Sequence, residues 1–154
     1  MDDNKPIRIE ISLDAAVKEV WQALTNVIQM RKWYFENIPD FKPEIGFETR
    51  FIVHSTERYF THIWKVTEVI PFKKITYTWN FEECSGTSES IFEMTEENNT
   101  TRLRLKSQVL KPYPKDIPEF KRESGEAGWD YLINENLVEF LQKSSDLQTP
   151  FFLL

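Results

Sequence analysis

One cysteine, four glycines and two histidines are all that this chain of 154 residues offers of the side chains that most often carry covalent, phosphate-cradling or metal chemistry. Cys84 has no partner for an internal disulfide. His54 and His62 are not spaced as His-Glu-x-x-His, and there is no Cys-x-x-Cys, so no metal-ligand motif is present. The glycines form neither a phosphate-binding loop nor the Gly-x-Ser-x-Gly turn of a nucleophilic serine. Cations are also short: 19 Lys and Arg against 25 Asp and Glu leave a net charge of −6, the wrong balance for a protein that tracks a phosphate backbone. No run approaches the roughly 18 apolar residues of a membrane span. Met1 to Lys5 lacks the cationic start and apolar stretch of a secretory signal. The expectation is a cytoplasmic protein without metal or cofactor and without a nucleic-acid partner.

What the chain has in quantity is rings. Phe 12, Trp 5 and Tyr 5 make 14% of the residues aromatic, within a globular balance of 40% hydrophobic and 29% charged. A chain of this length buries roughly 69% of its extended surface, enough for one core, so a single domain over residues 1–154 is expected.

Ile7, Ile9, Ile11 and Leu13 alternate with polar residues, the period of a half-buried strand. Asp14 is placed to cap a helix whose Val17, Val20, Trp21 and Leu24 share one face. Asn26 with Gln29 resembles a capping box for a second, shorter helix carrying Val27, Met30, Trp33 and Tyr34. From Gly46 to Val109 the period changes to two. Breaks at Thr56-Glu57, Pro71 to Lys74, Glu83 to Gly86 and Asn98-Asn99 divide it into five further strands. The strand from Phe60 to Ile70 has apolar residues on both faces, and Trp64 is assigned inward. The glycosylation-type triplets beginning at Asn98 and Asn99 read as a hairpin turn.

Three prolines between Lys111 and Pro118 exclude regular helix and central strand, so this stretch is a connector. A long helix follows to about Lys143, with Trp129, Leu132, Ile133, Leu137, Phe140 and Leu141 on one stripe. The order β-α-α-β-β-β-β-β-α predicts an α+β fold: a curved six-stranded antiparallel sheet, two short helices, and one long C-terminal helix over the concave face.

These residues also carry a family likeness. Ile11 to Thr25, Met30-Arg-Lys-Trp-Tyr34, Asp40-Phe-Lys-Pro43, Val66 to Pro71, Ile75 to Trp79, Thr101 to Leu105 and Gly128-Trp129 together resemble the helix-grip superfamily of START domains, pollen allergens and polyketide cyclases. Within it the chain is similar to single-domain homologues of the C-terminal part of the heat-shock protein 90 ATPase activator. The likeness covers about Pro6 to Lys143. It implies a deep cavity between sheet and C-terminal helix that takes an apolar or aromatic small molecule. The activator's N-terminal domain, with the motif that stimulates the ATPase, has no counterpart here, so co-chaperone activity does not transfer by similarity.

On that fold, Trp33, Phe35, Phe51, Trp64, Tyr77, Trp79, Phe92, Trp129 and Ile133 are the expected cavity lining. Aromatic walls suit a flat apolar guest. The opposite reading is that the same rings fill the space themselves. Tyr77, Thr49, Ser90, Ser107 and an inward His62 are the candidate orienting groups, against ordinary local hydrogen bonding. Gly125 and Gly128 either let the long helix approach the sheet and make Pro112 to Gly128 a gate, or belong to a plain loop.

No catalytic residue is assigned. Three functions stay open: a non-enzymatic carrier of a hydrophobic molecule, a chaperone-associated module, and a cyclase-like enzyme that acts by shaping its substrate. The apolar terminus Phe151 to Leu154 packs on its own domain or docks on another copy or a partner, leaving monomer and homodimer both open.

Overall fold

The computed structural model describes residues 5–148; the apolar terminus Phe151 to Leu154 lies outside them. Strand β1 (Ile7–Leu13) is followed by helices α1 (Val17–Thr25) and α2 (Val27–Trp33). Strands β2 (Glu48–His54), β3 (Tyr59–Ile70), β4 (Lys74–Phe81), β5 (Thr87–Glu97) and β6 (Thr100–Lys111) come next. They form one antiparallel sheet in the order β1-β6-β5-β4-β3-β2. The last four hairpin connections fall at the expected breaks. Asn98 and Asn99 both take positive φ, the conformation of a two-residue hairpin turn.

Period-two patterning decides which side of each strand is covered. Thr49 and Phe51, Trp64 and Val66, Ile75 and Tyr77, Ser90, Phe92 and Met94, and Leu103 and Leu105 are buried, and most of their immediate neighbours are more exposed. Rows of inward residues run across the strands. One passes through Thr49, Trp64, Trp79, Ser88 and Val109, and its neighbour through Val66, Tyr77, Ser90, Ser107 and Ile7. In β3 the register shifts between Val66 and Glu68. This bulge returns Val69 to the core side, which is why alternation alone gave β3 two apolar faces.

α2 begins as its sequence suggests, with Asn26 Oδ1 accepting the Gln29 N–H at 3.2 Å. α1 does not. Its N-cap is Ala16 without a side-chain cap, and Asp14 stands exposed two residues too early. After β6 and the proline connector, a short 3₁₀ turn (Pro118–Phe120) leads into the C-terminal helix. That helix has three segments: α3 (Arg122–Asp130), a π-helical stretch (Tyr131–Leu137) and α4 (Val138–Gln148).

The π stretch has a geometric reason. Trp129, Ile133, Leu137 and Leu141 are buried at every fourth position. In an α-helix of 3.6 residues per turn such a stripe drifts by about 40° at each step. Wider i→i+5 turns reduce the drift and keep all four side chains on the sheet. Gly125 lies inside α3, and a Cβ there would meet Ile7 Cδ1 at 3.1 Å, so its missing side chain lets the helix approach β1. Gly128 faces open space. No helix among the described residues is long and apolar enough to cross a membrane.

Candidate functional site

A cavity of about 740 Å³ opens at the end of the sheet where β1, β3 and β5 begin and β2, β4 and β6 end. Its floor and sides are Ile7, Val53, Phe60, His62, Trp79, Phe81, Ser88, Ser107 and Val109. Phe35 and Trp129 close its inner side, and residues from Pro112 to Gly125 roof it.

Three of the nine expected lining residues, Phe35, Trp79 and Trp129, stand in this wall. The other six, Trp33, Phe51, Trp64, Tyr77, Phe92 and Ile133, lie in the core and not on the cavity. The reason is Tyr34. Its ring stacks on Trp33 at 4.5 Å and on Phe35 at 5.1 Å, and it meets Trp64 at 4.9 Å. Trp64 in turn packs on Phe51, Tyr77 and Trp79 at 4.8 to 4.9 Å. The space under the middle of the long helix is therefore filled, and the hollow is displaced to the sheet's end. The Tyr34 and Tyr77 hydroxyls are 2.7 Å apart. Burial raises the pKa of both phenols, and at Tyr34 the neighbouring Tyr77 adds to the effect.

The roof is held at three points. The Tyr113 hydroxyl donates to the Trp79 carbonyl at 2.8 Å and lies 2.9 Å from Ser88 Oγ; burial pushes this phenol up to about 12. Glu119 accepts from Ser55 Oγ at 2.7 Å and from Arg58 at 3.0 Å, which ties the 3₁₀ turn to the β2–β3 hairpin. The Arg122 guanidinium donates to the Lys5 and Pro6 carbonyls and fastens the start of α3 to β1. Between these ties Phe120 packs on Phe60, Phe81 and Tyr113 at 4.9 to 5.2 Å. At Gly86, with φ of 115°, Tyr113 occupies the place a Cβ would take, so glycine is required for the roof to seat.

Sequence reasoning missed Phe60, Phe81, Tyr113 and Phe120 as wall residues. Phe60 and Phe81 continue the inward rows of β3 and β4 and were findable. Tyr113 and Phe120 carry no period, because a proline-rich connector has none.

Of the candidate orienting groups, His62 and Ser107 reach the cavity, while Tyr77, Thr49 and Ser90 do not. Thr49 Oγ1 and Ser90 Oγ are buried without a hydrogen-bond partner among the described residues. Burial lowers the His62 imidazole to about 4, against the opposing influence of the Phe60 carbonyl and of Glu83. Burial also raises the Cys84 thiol, and nearby Glu83 raises it further, which disfavours a reactive thiolate. No group of three or more potential metal ligands occurs among the described residues. The mouth carries Lys5, Lys115, Lys121 and Arg122 beside Glu119 and Glu123, a cationic rim on an anionic chain.

Residues 14–142 match the family model described as Activator of Hsp90 ATPase homolog 1-like protein. The chain belongs to this family. No curated protein matches it significantly. Among solved structures, a Rhizobium loti protein superposes with a TM-score of 0.76 at 15% identity, covering 88% of this chain and 96% of that one. A Bacillus halodurans protein gives 0.70 at 24% identity, over 91% and 99%. A protein from the dynemicin biosynthetic locus gives 0.72 at 21% identity, over 94% of this chain and 49% of that one. At these identities the likenesses show a shared fold alone, and together with the family match they bear out the expected helix-grip architecture.

Proposed function

We propose that the protein binds a hydrophobic or aromatic small molecule in the cavity between the sheet and the C-terminal helix, without transforming it. The observation that carries this reading is the 740 Å³ hollow walled by Phe35, Phe60, Trp79, Phe81, Phe120 and Trp129, at the end of an otherwise close-packed core. Mostly apolar, ring-lined hollows with a few polar points are the usual form of a small-molecule site. The lining hydroxyl that does face a carboxylate, Ser55 on Glu119, is engaged in tying down the roof, and the buried His62 imidazole is neutral near pH 7. A guest burying about 300 Å² of apolar surface gains at most about 7 kcal/mol before ordering costs, so affinities are micromolar at best.

The test uses Trp79 and Trp129 as reporters. Fatty acids, flavonoids and polyketide-like aromatics are titrated while tryptophan emission is followed. A saturable change with at least one class is expected, and none with any class overturns the reading. Family membership favours a second reading, a chaperone-associated module, which predicts co-purification with the chaperone or stimulation of its ATPase. Absence of both removes it.

A further inference from the structure

Resting on that cavity reading, we propose that His62 selects the guest: its Nε2 accepts a hydrogen bond from an O–H or N–H carried by the buried end of the ligand. The preferred guests are therefore hydroxylated or N–H-bearing aromatics, and ethers of the same shape bind less well.

The argument starts from the ring's other nitrogen. His62 Nδ1 lies 3.1 Å from the Phe60 carbonyl oxygen. A carbonyl only accepts, so Nδ1 carries the proton, and in a neutral imidazole Nε2 is then a bare lone pair. The depressed imidazole keeps this form through the physiological range. Nε2 has no partner among the described residues, although His62 is only 6% exposed and stands in the cavity wall.

The ring is also fixed in place. It stacks on Phe51 at 5.2 Å, meets Phe81 edge-on at 4.8 Å, and touches Trp79 and Phe35 at 5.3 and 5.4 Å. All four neighbours are rings without a donor aimed at Nε2, so none of the described residues supplies its hydrogen and a guest can. A guest that desolvates Nε2 and offers no donor leaves a buried acceptor unsatisfied, and that asymmetry produces selectivity.

Two naphthalenes of nearly equal shape test this with the full chain near neutral pH: 2-naphthol, which donates, and 2-methoxynaphthalene, which only accepts. Wild type should bind the naphthol about tenfold more tightly. His62→Phe should bring the ratio of the two affinities close to one, and His62→Gln, whose amide oxygen accepts, should recover part of it. Independently of any variant, the ¹⁵N resonance of Nε2 in wild type should move with 2-naphthol and not with the ether. Equal affinities in wild type, a ratio that survives His62→Phe, or an unresponsive Nε2 overturns the assignment. If neither naphthalene binds, the aromatic-cavity reading falls and the role of His62 with it; if both bind equally, only the role of His62 falls.

Discussion

The middle of the sheet and its cavity end are both rich in aromatic rings and use them in opposite ways. At one, α2 drives Trp33 and Tyr34 down onto Trp64 and Tyr77, and the rings interlock with Trp64 wholly buried. At the other, Phe60, Phe81, Tyr113 and Phe120 stand around a hollow, because what covers them is a proline connector tied at a few points. Ring content is thus no guide to where a cavity lies. The covering element decides it: a helix packs continuously, a connector only at its anchors. Truncation should separate the two regions most sharply. Trp64→Ala is expected to cost about 3–5 kcal/mol in chemical denaturation, as large-to-small changes in filled cores do. Phe120→Ala, beside existing empty volume, should cost clearly less while weakening any bound aromatic probe. Equal losses would erase the distinction between a filled middle and a hollow end.

The next effect belongs to His62, at the boundary of the two regions. Its imidazole sits at about 4 in the fold, below its ordinary value of 6.5, because it is buried. As pH falls, the unfolded chain therefore takes up the proton first. The stabilisation is fully present above 6.5 and is lost progressively down to about 4, amounting to as much as about 3 kcal/mol. Nearby Glu83 follows at lower pH. Burial works to raise its carboxyl, yet the hydrogen bonds from the Thr61 N–H and hydroxyl outweigh it and hold the group below its ordinary 4.5, so its stabilisation disappears only below that value. Urea midpoints of wild type and His62→Phe, compared between pH 7 and about pH 4.5, should show the wild type losing more. Parallel losses would place the imidazole in contact with water.

A smaller effect belongs to the filled middle alone. Tyr34 and Tyr77 satisfy one another. Either Tyr→Phe change strands the remaining hydroxyl and should cost about 1–3 kcal/mol, while the double change should cost less than the sum of the two. Additive losses in a double-mutant cycle would mean that the pair is not coupled.

These contrasts also show what could be read from the residues. Strand order, hairpins and the stripe of the long helix were legible, since each repeats a local period that burial rewards. The facing of β3 was half legible: Trp64 inward carries His62 with it, and the bulge after Val66 then breaks the period and brings in Val69 from the other row. The α1 cap was misjudged because Asp14 has the right chemistry two residues early, where the chain has not yet turned. The position of the cavity was the least legible feature. It depends on Tyr34 reaching across to Tyr77, forty-three residues away, and on Glu119 reaching back to Ser55. Neither contact has any trace in local spacing.

That last tie gives the smallest change in stability and a direct reading of how the open end works. The Glu119 carboxyl is held below its usual range first by the Ser55 hydroxyl, then by its own backbone N–H and by Arg58, in a site open to solvent. Glu119→Gln keeps the size of the side chain and removes the charge, so the thermal midpoint should hardly move, as is usual for exposed pairs. The roof, however, is fastened to the β2–β3 hairpin through this residue. Loosening it should raise the dissociation rate of a bound fluorescent probe severalfold, with a smaller change in association, because escape requires the roof to lift and capture already finds it partly open. Stopped-flow displacement from wild type and Glu119→Gln measures both rates. Unchanged dissociation would show that guests leave by another route, between β1 and α3, where Arg122 would become the tie to cut.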